Sequence, residues 1–301
     1  MSETTEATPP VKPARLLSLD VLRGFNMFWI MGADEFFKEV AKKVDNPTVS
    51  WVTDIFCRHV EWQGIRYHDM IFPLFLFIIG VALPYSTAKA MENGATQNQV
   101  ALKIIKRTLI LIALGFLYYH VLDLKGWEHQ RMAGVLQRLA LGYGIAGLIL
   151  VYSNIRGQII AGISCLVAYY LMMRFIPVPG FGAGNWTKEG NFANYVDRVI
   201  FLPGQLYEKF GDPEGYFSTI PAVATCLMGV LSGHWLRTDR SGHEKAKWLI
   251  IAGLASIALG YLWGIDFPII KKIWTSSYVL VAGGWSLLLL GSFYWTIDVK
   301  G

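Results

Sequence analysis

His59 stands ten residues before Asp69 in the stretch HVEWQGIRYHDMIFPLFLFIIGVALP, and the aspartate opens an apolar run from Met70 to Leu83. An imidazole, with an unperturbed pKa of about 6.5, can take a proton near neutral pH, which makes His59 the natural general base of the chain. The structural alternative is a wetted loop histidine followed by an aspartate N-cap. The spacing alone leaves both readings open. Further charges sit where lipid would penalise them. Asp20 and Arg23 in SLDVLRGF share a helix face and can pair. Asp34 lies toward the far end of the same apolar segment, and Arg138 follows Gln137 inside GVLQRLALGYG. A guanidinium there must face protein, water or an anionic ligand. Asp20, Asp34, Asp69 and Arg138 together predict a polar cavity through the helices. His68 reads as mainly structural, and His120, His129, His234 and His243 fall at span ends. No histidine pair with a carboxylate has metal-site spacing, so no metal is expected. No Walker-type or dinucleotide-binding glycine pattern is present.

The elements that must hold these groups are membrane helices. The chain has 301 residues, 53% hydrophobic and only 16% charged, where a soluble domain carries about 25% charged residues. Apolar runs of bilayer length recur along it, and they are continuous rather than alternating, which rejects a β-barrel. The fold class is all-α: a polytopic integral membrane helical bundle of about eight transmembrane helices. The spans are expected at Leu16–Phe36, Asp69–Ala88, Thr108–Leu122, Ala133–Tyr152, Gln158–Ile176, Tyr216–Leu236, Trp248–Trp263 and Ser276–Ile297. Residues 1–14 are polar and read as a disordered cytoplasmic tail, leaving 15–301 as one membrane domain. That tail is the reason to place the N-terminus in the cytoplasm, since the count of Lys and Arg in the loops does not decide orientation. The net charge of +5 reflects cations flanking the spans rather than nucleic-acid binding. Cys57, Cys165 and Cys226 show no metal or disulfide spacing. The long stretch Pro177–Tyr207 is too polar to span, and its aromatic content suits an ordered loop capping a cavity.

Five pieces in order resemble one family. They are SLDVLRGFNMFWIMGAD (Ser18–Asp34), HVEWQGIRYHDMIFPLFLFIIGVALPYS (His59–Ser86), RMAGVLQRLALGY (Arg131–Tyr143), DPEGYFSTIPAVATCLMGVLSG (Asp212–Gly233) and KKIWTSSYVLVAGG (Lys271–Gly284). The chain resembles the heparan-α-glucosaminide N-acetyltransferase family of transmembrane acyltransferases, in a bacterial form without the luminal domain. The resemblance covers nearly all of the chain after Arg15. It implies acetyl transfer from cytosolic acetyl-CoA to the amine of a glucosamine-like sugar on the far side of a bacterial inner membrane. It places the catalytic histidine on His59, three residues before Trp62, and the family's aspartate before an Ile/Val-Phe-Pro sequence on Asp69. The Leu-Gln-Arg motif falls on Leu136, Gln137 and Arg138. Two departures stand out. Asp34 replaces the family's asparagine, and family members continue past Asp298–Gly301 into further hydrophobic helices. If those helices wall the cavity, this chain is expected to rely on an oligomer, and a homodimer is the candidate.

On that basis His59 is expected to act as general base or as a transient acetyl carrier. Asp69 and Asp34 would orient it or hold the acceptor, with Trp62, Gln137 and Arg138 also assigned to substrate. The phosphates of acetyl-CoA, the co-substrate, call for cations at the cytoplasmic face. The candidates are Lys103, Lys106, Arg107, Arg237 and Arg240. The rival from another class is a transporter for a small polar or sugar-like solute. It would share the buried charges but would not consume acetyl-CoA, and matched helix breaks in two halves, its signature, are not seen.

Overall fold

A computed structural model describes residues 16–44, 46–120 and 126–301, with the side chains of 119, 120 and 127 left aside. The expected tail at 1–14 lies outside them. Eleven helices are described. α1 is Leu17–Phe28, α2 Asp34–Lys43 and α3 Pro47–Cys57; α4 is Ile71–Glu92, α5 Gln97–His120 and α6 Val135–Tyr152; α7 is Ile155–Phe175, α8 Phe192–Ile200 and α9 Thr219–Leu236; α10 is Gly242–Trp263 and α11 Ser276–Phe293. Among the described residues there is no strand, only isolated bridges at Val178–Gly182 and Glu208–Gly211. The chain is an all-helical polytopic membrane bundle. Among the described residues six helices are long and apolar enough to cross a bilayer: α4, α6, α7, α9, α10 and α11 with their terminal turns.

The other two expected spans differ for physical reasons. The first is interrupted. A π turn at Trp29–Ala33, with Gly32 at φ +112°, ends α1 after 12 residues and redirects the chain into α2. The third begins earlier than its apolar run, at Gln97, so any bilayer-length window of α5 includes Lys103, Lys106 and Arg107. Elsewhere the predicted and observed helices overlap closely. Lipid-facing residues are plain on α7, where Ile159, Ile160, Ile163, Leu171 and Phe175 are exposed.

The bundle is drawn together by backbone-close crossings. A Cβ on Gly80 of α4 would lie 2.0 Å from the Cys226 carbonyl oxygen of α9, and one on Gly229 would lie 2.1 Å from the Phe77 oxygen. Gly253 and Gly284 join α10 and α11 in the same way. Small residues at crossings allow the dispersion contacts that hold helices together in lipid, where hydrophobic burial supplies little drive.

The connections segregate. At one end, Asp298 after α11 accepts from the Leu17 and Ser18 amides at the start of α1, at 3.1 and 3.0 Å, and so caps that helix. At the other end the long connections pack together. Gly64 N donates to Ile269 O, Trp62 Nε1 to Trp186 O, and Lys272 Nζ to Glu208 Oε1. The stretch after α7 is ordered, as its aromatics predicted: it holds α8 and a 3₁₀ turn at Pro203–Gln205.

Candidate active site

The turn that leads into α4 builds the centre. Asp69 is 1% exposed, yet four donors converge on its two oxygens. Oδ2 accepts from the Val60 and Arg66 amides at 3.2 and 3.0 Å. Oδ1 meets His59 Nδ1 at 2.7 Å and Lys271 Nζ at 3.3 Å. That is the environment of a carboxylate anion. The two amide contacts curl residues 60–69 into one turn, which is why His59 returns to a residue ten positions later. The carboxylate favours the tautomer that carries its proton on Nδ1, which leaves Nε2 as the basic nitrogen. The His59 side chain is 52% exposed, so the pair joins a buried acid to an accessible ring.

Lys271 was not singled out in the sequence. Its Nζ lies 3.0 Å from His59 Nδ1 as well as 3.3 Å from Asp69. Burial pushes the Lys271 ammonium down from its ordinary value, while Asp69 opposes the shift. The loop that carries it is tightly specified. Trp274, fully buried, sits at φ +49° and donates its amide to Lys271 O, a left-handed turn uncommon for a bulky residue. Thr275 caps α11 and accepts from the Ile270 amide at 3.0 Å. One turn on, Tyr278 donates its hydroxyl to the Asp69 backbone oxygen at 2.6 Å. No short-range spacing in the sequence announces these contacts; the only signal was that KKIWTSSY belongs to one of the five resembling pieces.

The remaining candidates take different places. Asp34, the first residue of α2, binds Lys38 Nζ at 2.8 Å and lies 3.6 Å from His68 Nε2. His68, read from the sequence as mainly structural, lies beside the candidate base: its ring centre is 4.4 Å from that of His59. Asp34 is therefore one imidazole removed from His59. Trp62 is tied to the 177–207 loop through Trp186 and lies beneath Lys188. Arg138 is fully buried, donating to Gly215 O at 2.9 Å and to Ser218 Oγ, with its guanidinium 4.9 Å from the Trp274 ring centre. Its Nε and Nη1 have no partner among the described residues. Gln137 faces the other way, against Gly115 of α5, its amide likewise without a partner. Asp20 pairs with Arg23 at 3.3 Å and lies toward the opposite end, so Asp20, Asp34, Asp69 and Arg138 do not share one continuous cavity.

The five proposed phosphate-binding cations divide. Lys103, Lys106 and Arg107 line two adjoining hollows of about 530 and 330 Å³ between α4, α5 and α6, with Arg23 of α1 on the rim. The walls are apolar: Phe75, Ile78, Ile79, Leu83, Ile110 and Leu111. Lys103, Lys106 and Arg107 make no ion pair among the described residues. Arg237 instead donates to Pro84 O at 3.1 Å, in a separate hollow, and Arg240 binds Glu244 at 2.9 Å on the surface. Both cation groups lie at the end opposite His59. The apolar groove follows α4 from Ser86 to Phe75. It stops six residues past Asp69, about 9 Å at the helical rise of about 1.5 Å per residue. No cluster suited to a metal ion is present among the described residues.

A helical membrane bundle with a His–Asp–Lys centre at one end and an unpaired basic groove at the other is the class these features define. The chain belongs to the family described as a domain of unknown function, DUF5009, whose profile matches residues 15–178. It is similar to mouse heparan-alpha-glucosaminide N-acetyltransferase, 27% identical over 298 residues, which covers 81% of this chain and 45% of the mouse protein. It is also similar to the human enzyme of the same name, 26% identical over 343 residues, covering 96% of this chain and 50% of that protein. The chain thus spans about half the length of the curated relatives it matches.

Proposed function

We propose that this protein is an acetyl-CoA-dependent transmembrane N-acetyltransferase that acts on the amine of a glucosamine-like sugar. The observation that carries the reading is the contact of 2.7 Å between the half-exposed His59 and the buried Asp69. The acceptor's neutral amine attacks the thioester carbonyl of acetyl-CoA, forming a C–N bond as the C–S bond breaks. His59 Nε2 takes the proton released by the amine and returns it to the departing thiolate. Asp69 holds the ring and steadies the imidazolium that forms. The groove along α4 supports the donor side. Lys103, Lys106 and Arg107 suit the nucleotide phosphates, and the apolar walls suit the pantetheine arm. The N-terminus and this groove face the cytosol, and His59 faces the other side of a bacterial inner membrane. The test is to incubate purified protein with acetyl-CoA and a panel of amino sugars, reading free CoA and product mass. Solute binding without CoA release would overturn the proposal in favour of a transporter.

A further inference from the structure

α2 and α3 form a hairpin that does not behave like the rest of the fold. No residue of α2 is buried. Phe36 and Trp51 are each 64% exposed, and Phe37, Val40, Val52 and Phe56 are exposed beside them. The hairpin cannot span: ten or eleven residues reach about 15–17 Å, against a hydrocarbon core of about 30 Å. The opposite side of α2 is charged, with Lys38 bound to Asp34 and Glu35 and Lys42 bound to Glu39. Short, amphipathic, aromatic on one side and lysine-bearing on the other is the composition of a helix lying in the membrane interface. A patch this large is seldom left in water.

The hairpin is fastened to the turn that carries the active site. Arg66 binds Asp54 at 2.8 Å, and the ring of Tyr67 packs between Phe56 and Trp29, at 5.2 and 5.0 Å. Through Asp34 and His68 it reaches the His59 ring. Between α2 and α3 lies a hollow of about 560 Å³ lined by Lys38, Lys42, Arg58, Asp54, Ser50 and Trp51. Its three cations already hold carboxylates, Lys38 with Asp34 and Glu35, Lys42 with Glu39 and Arg58 with Asp54 at 3.6 Å, and this mix of paired charge and tryptophan suits the polar level of a lipid leaflet.

We propose that α2–α3 lies in the leaflet on the His59 side and that the acceptor is an amino sugar carried on a lipid of that leaflet. The inference rests on the acetyltransferase reading above and names its substrate class. The hairpin forms the lipid-side wall of the site, so a headgroup at the interface enters beside His59 while its acyl chains remain in the bilayer. The second copy of the chain, the other candidate to cover the patch, is an outcome of the test.

The experiment uses the full chain in phosphatidylcholine nanodiscs. Spin labels at positions 36 and 51 are compared with one at Ile163, on the lipid face of α7, and one at Lys209, exposed in the outer loops. The expected result is high accessibility to oxygen and low accessibility to an aqueous nickel chelate at both positions, as at Ile163. Behaviour like that of Lys209, or label–label coupling between two copies, overturns the proposal. In parallel, a synthetic dioleoyl phospholipid bearing glucosamine is compared with free glucosamine. The lipid-borne sugar should show a several-fold higher kcat/KM, and the double variant Phe36→Asp, Trp51→Asp should erase that advantage and leave free glucosamine turnover in place. Equal turnover of both sugars, unaffected by the double variant, overturns the lipid acceptor and leaves the acetyltransferase reading standing. Acetylation of neither sugar overturns both.

Discussion

The two ends of the bundle treat charge in opposite ways. At the His59 end most ionic groups are paired, with the buried Arg138, two of whose nitrogens have no partner among the described residues, as an exception. Asp69 has its four donors, and Arg131 holds Asp212 at 2.6 and 2.8 Å and Glu214 as well. At the other end Lys103, Lys106 and Arg107 line a groove with no counterion of their own. A saturated network fixes geometry in advance, which is what a proton-transfer site needs. Unpaired cations beside apolar walls are instead an unmet demand for an anion, and a ligand that brings phosphates meets it. The contrast teaches that the two ends handle charge by different means, one by pairing it and one by leaving it open, with α4 running between them.

The largest way to break the contrast is at His59. His59→Ala should lower turnover by about 10²–10⁴-fold, the usual worth of a general base. Acetyl-CoA affinity and melting temperature should stay near wild type, because a half-exposed ring buries little and the groove is distant. Turnover within a few-fold of wild type, normalised to monodisperse protein, would remove His59 from the chemistry.

Next is Lys271→Met. It deletes one charge-assisted contact to Asp69, worth about 1.5–3 kcal/mol, so kcat should fall roughly 10–100-fold. The KM for acetyl-CoA should not move, and Lys271→Arg should recover part of the loss. A change confined to expression level would mean that Lys271 only supports folding.

The donor end should respond in affinity alone. Lys103→Glu with Arg107→Glu should weaken acetyl-CoA binding by about tenfold or more, measured by calorimetry. Arg240→Glu should not, since Arg240 is already engaged by Glu244. If Arg240→Glu weakens binding and the α5 pair does not, the groove along α4 is not the donor site.

The smallest effect sharpens the picture of the outer loops. Burial pushes the Asp197 carboxyl up to about 7, against the opposing hydrogen bond that the Asp212 amide donates to it. A carboxyl with a raised folded pKa binds a proton that the unfolded chain has already lost. Its stabilisation is complete below the unfolded value of about 4, and falls away as pH rises through about 7. Asp197→Asn should therefore melt several degrees higher than wild type at about pH 8 and at nearly the same temperature at about pH 4. Equal melting temperatures at both pH values would show Asp197 to be ionised in the fold.

Much of this could be read from residue order alone, for identifiable reasons. Helices with long apolar runs, such as α9 and α11, stood out because lipid demands continuous hydrophobicity. His59 and Asp69 were legible because one turn contains both. α2 and α3 were not, since about three turns of amphipathic sequence each, between longer spans, reads as loop. The early start of α5 was missed because its first turns carry Gln97, Asn98 and Lys103, and its cations fell in what looked like a connection. Lys271 lies 212 residues from His59, and Arg131 lies 81 from Asp212. Only the helix packing brings such pairs together, and no periodicity encodes it.

The crossing of α4 and α9 has a mechanical consequence. Where Gly80 meets Cys226 there is room for a hydrogen and nothing larger. A slip of one residue in either direction would drive Ile79 or Val81 into the opposing backbone. α4 is therefore a fixed shaft, with the His59–Asp69 pair at one tip and the basic groove along its flank. Phe75 and Asp69 ride on one continuous segment, so sliding it would leave the stretch between the groove's end and the proposed site unchanged. The panels beside it are held less tightly: the chain is redirected at Gly32 after α1, and α5 rests mainly on α6.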